Sequence, residues 1–153
     1  MARILWLDDY AGKGSKRRMG FDALIYFVEQ NGHAVEIVST RKQIELALEK
    51  IDTYDLFILD IIMDSLSFSS QSEHQFGGID VLEKLAKSRS KIPIIILSVM
   101  PPKVIKEEAI RRGLDIKKIG VVEIRRKGSI TPSQLATYVE RHLLAKANLP
   151  NKE

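Results

Sequence analysis

Three aspartates, a serine and a lysine stand at or just past the ends of apolar runs. Asp8 and Asp9 follow Ile4-Leu5-Trp6-Leu7, and Asp60 follows Leu56-Phe57-Ile58-Leu59. Ser98 follows the run from Ile92 to Leu97, and Lys127 comes soon after Val121 to Ile124. Two adjacent acids beyond an apolar segment cannot both enter a core, because an unpaired buried charge is costly. One such acid reads most simply as a helix N-cap. Three acids, each beyond such a run, are harder to explain that way. Crowded carboxylates repel unless a cation lies among them. Hard oxygens in an open site suit Mg²⁺, which keeps several waters and accepts phosphate oxygens as further ligands. Asp60 is the best-placed nucleophile, since a carboxylate can attack phosphorus and form an aspartyl phosphate. The metal and Lys127 would offset charge on the phosphoryl oxygens, and the Ser98 hydroxyl could donate to one of them. Taken singly, Ser98 reads as a strand-end serine and Lys127 as a solvated lysine. Their order along the chain joins them to the acids.

These positions meet only if the runs are parallel strands of one sheet, whose carboxyl ends share the ligand-binding edge. The sequence predicts that alternation. After the strand at 3–7, Phe21, Leu24, Ile25 and Val28 recur at helical spacing, and Asn31-Gly32 stops the helix. A strand from Ala34 to Val38 follows. Thr40 and Gln43 form a capping box for a helix with Ile44, Ala47, Leu48 and Ile51 inward. The third strand ends at Asp60, and a polar loop runs from Asp64 to Gly77. The next helix turns Ile79, Leu82, Leu85 and Ala86 inward, and a strand follows at 92–97. Pro101-Pro102 introduces a helix ending near Gly113, and 121–124 is the fifth strand. Thr131-Pro132-Ser133-Gln134 is a second capping box, opening a helix that buries Leu135, Tyr138, Val139 and Leu143. The third and fourth strands are apolar without alternation, as central parallel strands covered on both faces require. Right-handed crossovers make this an α/β fold, a (βα)5 sandwich.

A chain of 153 residues suits one domain. The absence of cysteine excludes a disulfide framework and a thiolate metal site. No apolar run approaches the ~20 residues of a membrane span, and a strand by Ile4 leaves no signal-peptide anatomy; a cytoplasmic protein is expected. The net charge is +4, with basic clusters at Lys13, Lys16, Arg17 and Arg18 and at Arg125, Arg126 and Lys127. No interleaved aromatics, helix-turn-helix or zinc signature accompany them, so direct nucleic-acid binding is not expected. Gly12-Lys13-Gly14-Ser15 lacks the first glycine and spacing of a phosphate loop, which rejects an NTPase. His33, His74 and His142 have no metal-ligand spacing, and Trp6 reads as core.

The ordered set of Asp8, Asp9, Asp60, Ser98 and Lys127 resembles the receiver domain of two-component response regulators, over about residues 1–145. Leu59-Asp60-Ile61-Ile62-Met63 is similar to that family's strand-3 exit, and Gly78-Ile79 to the start of its third helix. The resemblance implies a flavodoxin-like doubly wound sandwich over 1–146, strand order 2-1-3-4-5, with a polar tail at 147–153. It implies that Asp60 is the phosphoacceptor, served by a sensor histidine kinase or phosphotransfer protein. Mg²⁺ would be held by Asp8, Asp9, Asp60 and the backbone carbonyl of Ile62. Ser98 and Lys127 would read the phosphoryl group, which adds roughly −1.5 to −2 charges by analogy with other phosphorylated side chains. The chain is then a stand-alone regulator acting on a downstream protein, with self-phosphorylation and slow autodephosphorylation as its sole chemistry. The helix after Pro102, the strand at 121–124 and the last helix form the switching face and a candidate homodimer surface.

Several residues depart from the family pattern. Gly128 replaces the proline after the lysine, which leaves Lys127 less firmly aimed and Arg126 as an understudy. Ile124 removes the aromatic switch, Val99 stands where small residues are common, and Asp64 replaces a proline. The segment 65–77, with Phe68, His74 and Phe76, reads as an insertion and 115–120 as an extension. Long loops of this kind are functional or disordered. These departures favour, as an alternative, a receiver-like interaction module that works without phosphorylation. An aspartyl phosphatase would need Asp-x-Asp after the first strand, and an FMN carrier a hydroxyl-rich loop there. Neither fits.

Overall fold

The computed structural model describes residues 2–8, 25, 26, 28–62, 77–88 and 90–147. Strands β1 (Arg3–Leu7), β2 (Ala34–Val38), β3 (Leu56–Leu59), β4 (Ile94–Ser98) and β5 (Val121–Arg126) pair in parallel, in the order β2-β1-β3-β4-β5. The helices are α1 (Arg41–Glu49), α2 (Gly77–Ala86), α3 (Pro102–Arg111), α4 (Ile116–Ile119) and α5 (Pro132–Ala147). Residues 25, 26 and 28–30 are also helical, and Val28 from this stretch is buried.

Successive strand residues point to opposite faces, so the uninterrupted apolar runs fill two compartments. Leu5, Leu7, Phe57, Leu59, Ile94 and Ile96 pack with Ile44 of α1, Leu82 of α2 and Ile105 of α3. Ile4, Trp6, Leu56, Ile58, Ile95 and Leu97 pack with Val28 and with Leu135 and Val139 of α5. Every residue of β3 and β4 is buried, as a doubly covered centre requires. Among the described residues, no helix is long and apolar enough to cross a membrane.

Both expected capping boxes form. The Gln43 N–H donates to Thr40 Oγ1 at 3.2 Å and the Thr40 N–H to Gln43 Oε1 at 3.1 Å. Gln134 and Thr131 repeat the exchange at 3.2 and 2.9 Å.

Several details differ from the sequence reading; the fifth strand, for one, runs to Arg126 rather than Ile124. The fourth strand begins at Ile94, not Ile92, because Pro93 has no N–H to give the ladder; its carbonyl accepts from Phe57 N–H at 3.0 Å. In α2, Val81 is buried while Ala86 is exposed. On α5, Tyr138 and Leu143 are half-buried rather than core. The extension at 115–120 is a helical turn, α4, capped by Asp115, whose Oδ1 accepts from Lys118 N–H at 3.3 Å. Gly120 ends that turn at φ 129°, and a Cβ there would lie 2.5 Å from the Ile92 carbonyl oxygen, so only glycine fits.

Tyr54 seals the amino-end edge. Its side chain is buried, Arg3 lies 5.0 Å from the ring centroid, and its hydroxyl donates to Glu36 Oε2. Burial first, then the Glu36 carboxylate, pushes the phenol up to about 12. The fold therefore favours the neutral phenol. Its contribution is in force below the ordinary tyrosine value of about 10 and is lost as pH rises toward 12. An alkaline absorbance titration is expected to show one tyrosine ionising near 12, and that step should vanish in Tyr54→Phe.

Candidate functional site

Strand register sets the site. Leu7 is level with Leu59, and Leu59 with Ile96. The first residues beyond β1 and β3 are Asp8 and Asp60, so the two carboxylates emerge side by side. Their own backbones are pinned by the sheet: Asp8 N–H donates to Val38 O at 3.1 Å and Asp60 N–H to Leu7 O at 3.0 Å. Ser98 closes β4 opposite Arg126, the last residue of β5, and Lys127 opens the 3-10 turn that follows.

Lys127 reaches back across the edge. Its Nζ donates to Asp8 Oδ2 and to Asp60 Oδ2, each at 2.8 Å. The carboxylates are 0% and 2% exposed and the lysine side chain 15%, so little water screens the trio. Burial alone would lower the lysine pKa. The charges of Asp60 and Asp8, with their hydrogen bonds, outweigh it and hold the ammonium above its usual value.

The other Asp60 oxygen, Oδ1, accepts from the Ile62 N–H at 3.2 Å, which fixes the carboxylate plane. Ser98 is buried, and its Oγ accepts from Met100 N–H at 3.3 Å. That use of the oxygen leaves the hydroxyl proton to donate elsewhere.

Of the residues singled out in the sequence, the structure brings Asp8, Asp60 and Lys127 into one cluster, with Ser98 on the same edge and the Ile62 backbone beside Asp60. Asp9 lies outside the described residues, as do the basic cluster at 13–18 and the loop residues 64–76. Arg126 is no understudy for the lysine: it is exposed, and its Nε donates to Val99 O at 3.2 Å. Gly128 does not spoil the aim of Lys127, which makes both bonds without a following proline. Val99 is 53% exposed.

One contact had no explanation in the sequence. A Cβ on Gly78 would fall 2.2 Å from the Asp60 carbonyl oxygen and 2.6 Å from Ile61 Cα. The start of α2 therefore presses directly on the backbone under Asp60, and Gly78 N–H donates to Ile61 O at 2.9 Å. Gly78-Ile79 was visible as a helix start; the close approach needs the fold.

Asp8 and Asp60 direct one oxygen each at a single cation position, which Lys127 Nζ takes. Two hard, buried oxygens so arranged fit a small divalent cation. Among the described residues, no three His, Cys, Asp or Glu side chains form a metal-binding group. A third carboxylate would have to come from Asp9.

No protein-family profile matches the chain, and no curated protein does. Solved structures do match it. A CheY-like response regulator receiver domain protein from Methanospirillum hungatei JF-1 aligns over 96% of this chain and 97% of its own, at 21% identity and TM-score 0.64. The receiver domain of a Francisella response regulator aligns over 95% and 99%, at 22% identity and TM-score 0.63. A signal receiver domain from Bermanella marisrubri aligns over 92% and 97%, at 18% identity and TM-score 0.62. The fold is that of response-regulator receiver domains, the flavodoxin-like sandwich with strand order 2-1-3-4-5.

Proposed function

We propose that this chain is a response-regulator receiver that accepts a phosphoryl group on Asp60 in a Mg²⁺-dependent reaction. The observation that carries the reading is Lys127 bridging Asp8 and Asp60 at the carboxyl edge of a receiver fold. The donor would be a phosphohistidine on a sensor histidine kinase or phosphotransfer protein. An Asp60 oxygen attacks phosphorus, a P–O bond forms as the P–N bond breaks, and the electron pair leaves with the donor imidazole. Asp60 loses its carboxylate charge while the phosphoryl oxygens carry it outward. Lys127 then pairs with a phosphoryl oxygen, and the Ser98 hydroxyl donates to another. Mg²⁺, when bound, would neutralise phosphoryl oxygens; Asp8 and Asp60 suit it, and Asp9 and the Ile62 carbonyl are the further ligands the resemblance implies. The added charge biases a two-state element, whose output is contact with a downstream protein.

Intact mass after incubation with acetyl phosphate tests this. A gain of one phosphate is expected with Mg²⁺, lost in EDTA and lost in Asp60→Asn. No gain, together with no binding of Mg²⁺ or beryllofluoride, would leave the chain as a receiver-like module that works without phosphorylation.

A further inference from the structure

An ionic cluster away from the carboxyl edge joins α2 to α3. Arg112, directly after α3, donates from Nη1 to Asp80 Oδ1 at 2.7 Å and to Glu83 Oε1 at 2.9 Å, both on α2. Its Nε donates to Glu108 Oε1 at 2.9 Å, and Arg111 pairs with Glu108 as well. Exposed ion pairs hold little. Here the Arg112, Asp80 and Glu108 side chains are only 15%, 13% and 9% exposed, so separating them is costly.

The rest of α3 is weakly anchored. It buries Ile105, Glu108 and Ala109, while Ile110 is 74% exposed. Both helices also begin at the site. Asp80 lies two residues beyond Gly78, which presses on the Asp60 backbone. Pro101 caps α3, directly after Met100, whose N–H is bonded to Ser98. Asp80 Oδ2 is buried and, among the described residues, has no hydrogen-bond partner. An unpaired buried oxygen is costly, and a two-pronged arginine–carboxylate pair would relieve it.

We propose that Arg112 is a latch holding α3 against α2, so that a change at Asp60, carried through Gly78 to Asp80, resets α3 and the Ser98–Met100 segment ahead of it. The coupling rests on the phosphoacceptor reading; the anchoring of α3 does not. Arg112 is a positioning residue: it acts on Ser98 through α3 and reaches no reacting atom.

Amide hydrogen exchange on the full chain tests both parts. The variants are Arg112→Met and the paired neutral change Asp80→Asn with Arg112→Gln, which strands fewer charges if the single variant folds poorly. Exchange in α3 and at Met100 is expected to quicken about tenfold, with amides of β1 to β3 within about twofold of wild type. Uniform quickening would make Arg112 a general stability residue. Unchanged α3 would mean that Ile105 and Ala109 hold the helix alone. Either result overturns the latch. With Mg²⁺ and beryllofluoride, wild-type exchange should change around Gly78 and in α3 together, and in the variants around Gly78 only. A joint response persisting in the variants would overturn the coupling. No wild-type response would refute the phosphoacceptor reading, and with it the coupling, while the first comparison still decides the anchoring.

Discussion

Gly78→Ala is expected to lower stability by about 3 kcal/mol, the upper end for overpacking, because the added carbon meets backbone rather than a flexible side chain. The atoms in its way are the Asp60 carbonyl oxygen at 2.2 Å and Ile61 Cα at 2.6 Å. Neither can move without shifting β3 or α2. For a chain of this size such a loss corresponds to a melting temperature lower by about 10 °C. Function should suffer more than stability. A displacement of about 1 Å at a reacting group can cost about 100-fold in rate, so labelling of Asp60 by acetyl phosphate should slow by that order even where the variant is folded. Gly128→Ala is the control. A Cβ there has nothing within 4 Å, and Gly128 is not among the glycines at positive φ. It should be neutral or gain up to about 1 kcal/mol through the unfolded chain. Equal urea midpoints for both variants and wild type would show that α2 does not press on Asp60.

Lys127→Met should cost about 3–5 kcal/mol at pH 7, the range for removing one partner of a buried ion pair. It takes the ammonium from two buried carboxylates, Asp8 and Asp60. The pH dependence of this contribution lies at the alkaline end of the scale. The folded pKa of Lys127 is raised above 10.5. Its contribution is therefore in full force below the unfolded value and is lost as pH rises through the higher folded one. Denaturation of both proteins from about pH 7 to 11 should show the wild-type advantage holding up to about pH 10 and narrowing above it. Mg²⁺ should restore part of the variant's stability, since the ion suits the oxygens that the lysine leaves. A variant as stable as wild type at pH 7 would remove Lys127 from the site.

Much of the site was legible because it obeys a rule of position. Asp8, Asp60, Ser98 and Lys127 each follow an apolar run, and parallel strands bring such ends to one edge. The capping boxes at Thr40 and Thr131 were legible because each is written within four residues. Periodicity erred where close packing overrode it: Gly78 lets α2 approach the backbone beyond β3, and Val81 rather than Ala86 turned inward. The turn at 116–119 is too short to show a period. The Arg112 cluster was invisible for a deeper reason. Glu108 and Arg112 stand four apart, an ordinary surface spacing. Their partners Asp80 and Glu83 lie about thirty residues earlier, and only the packing of α2 beside α3 brings them near.

The strand order bears on how the chain is made. β1 is synthesised first yet lies inside the sheet, between β2 and β3. A nascent chain that has released only β1 and β2 leaves the inward edge of β1, Ile4 to Leu7, unpaired until residues 56–59 emerge to cover it. Such an edge invites pairing with other chains. The acid pair then waits longer still: Lys127 comes off the ribosome 67 residues after Asp60. The carboxyl-edge cluster is thus completed late, after the fifth strand and just before α5.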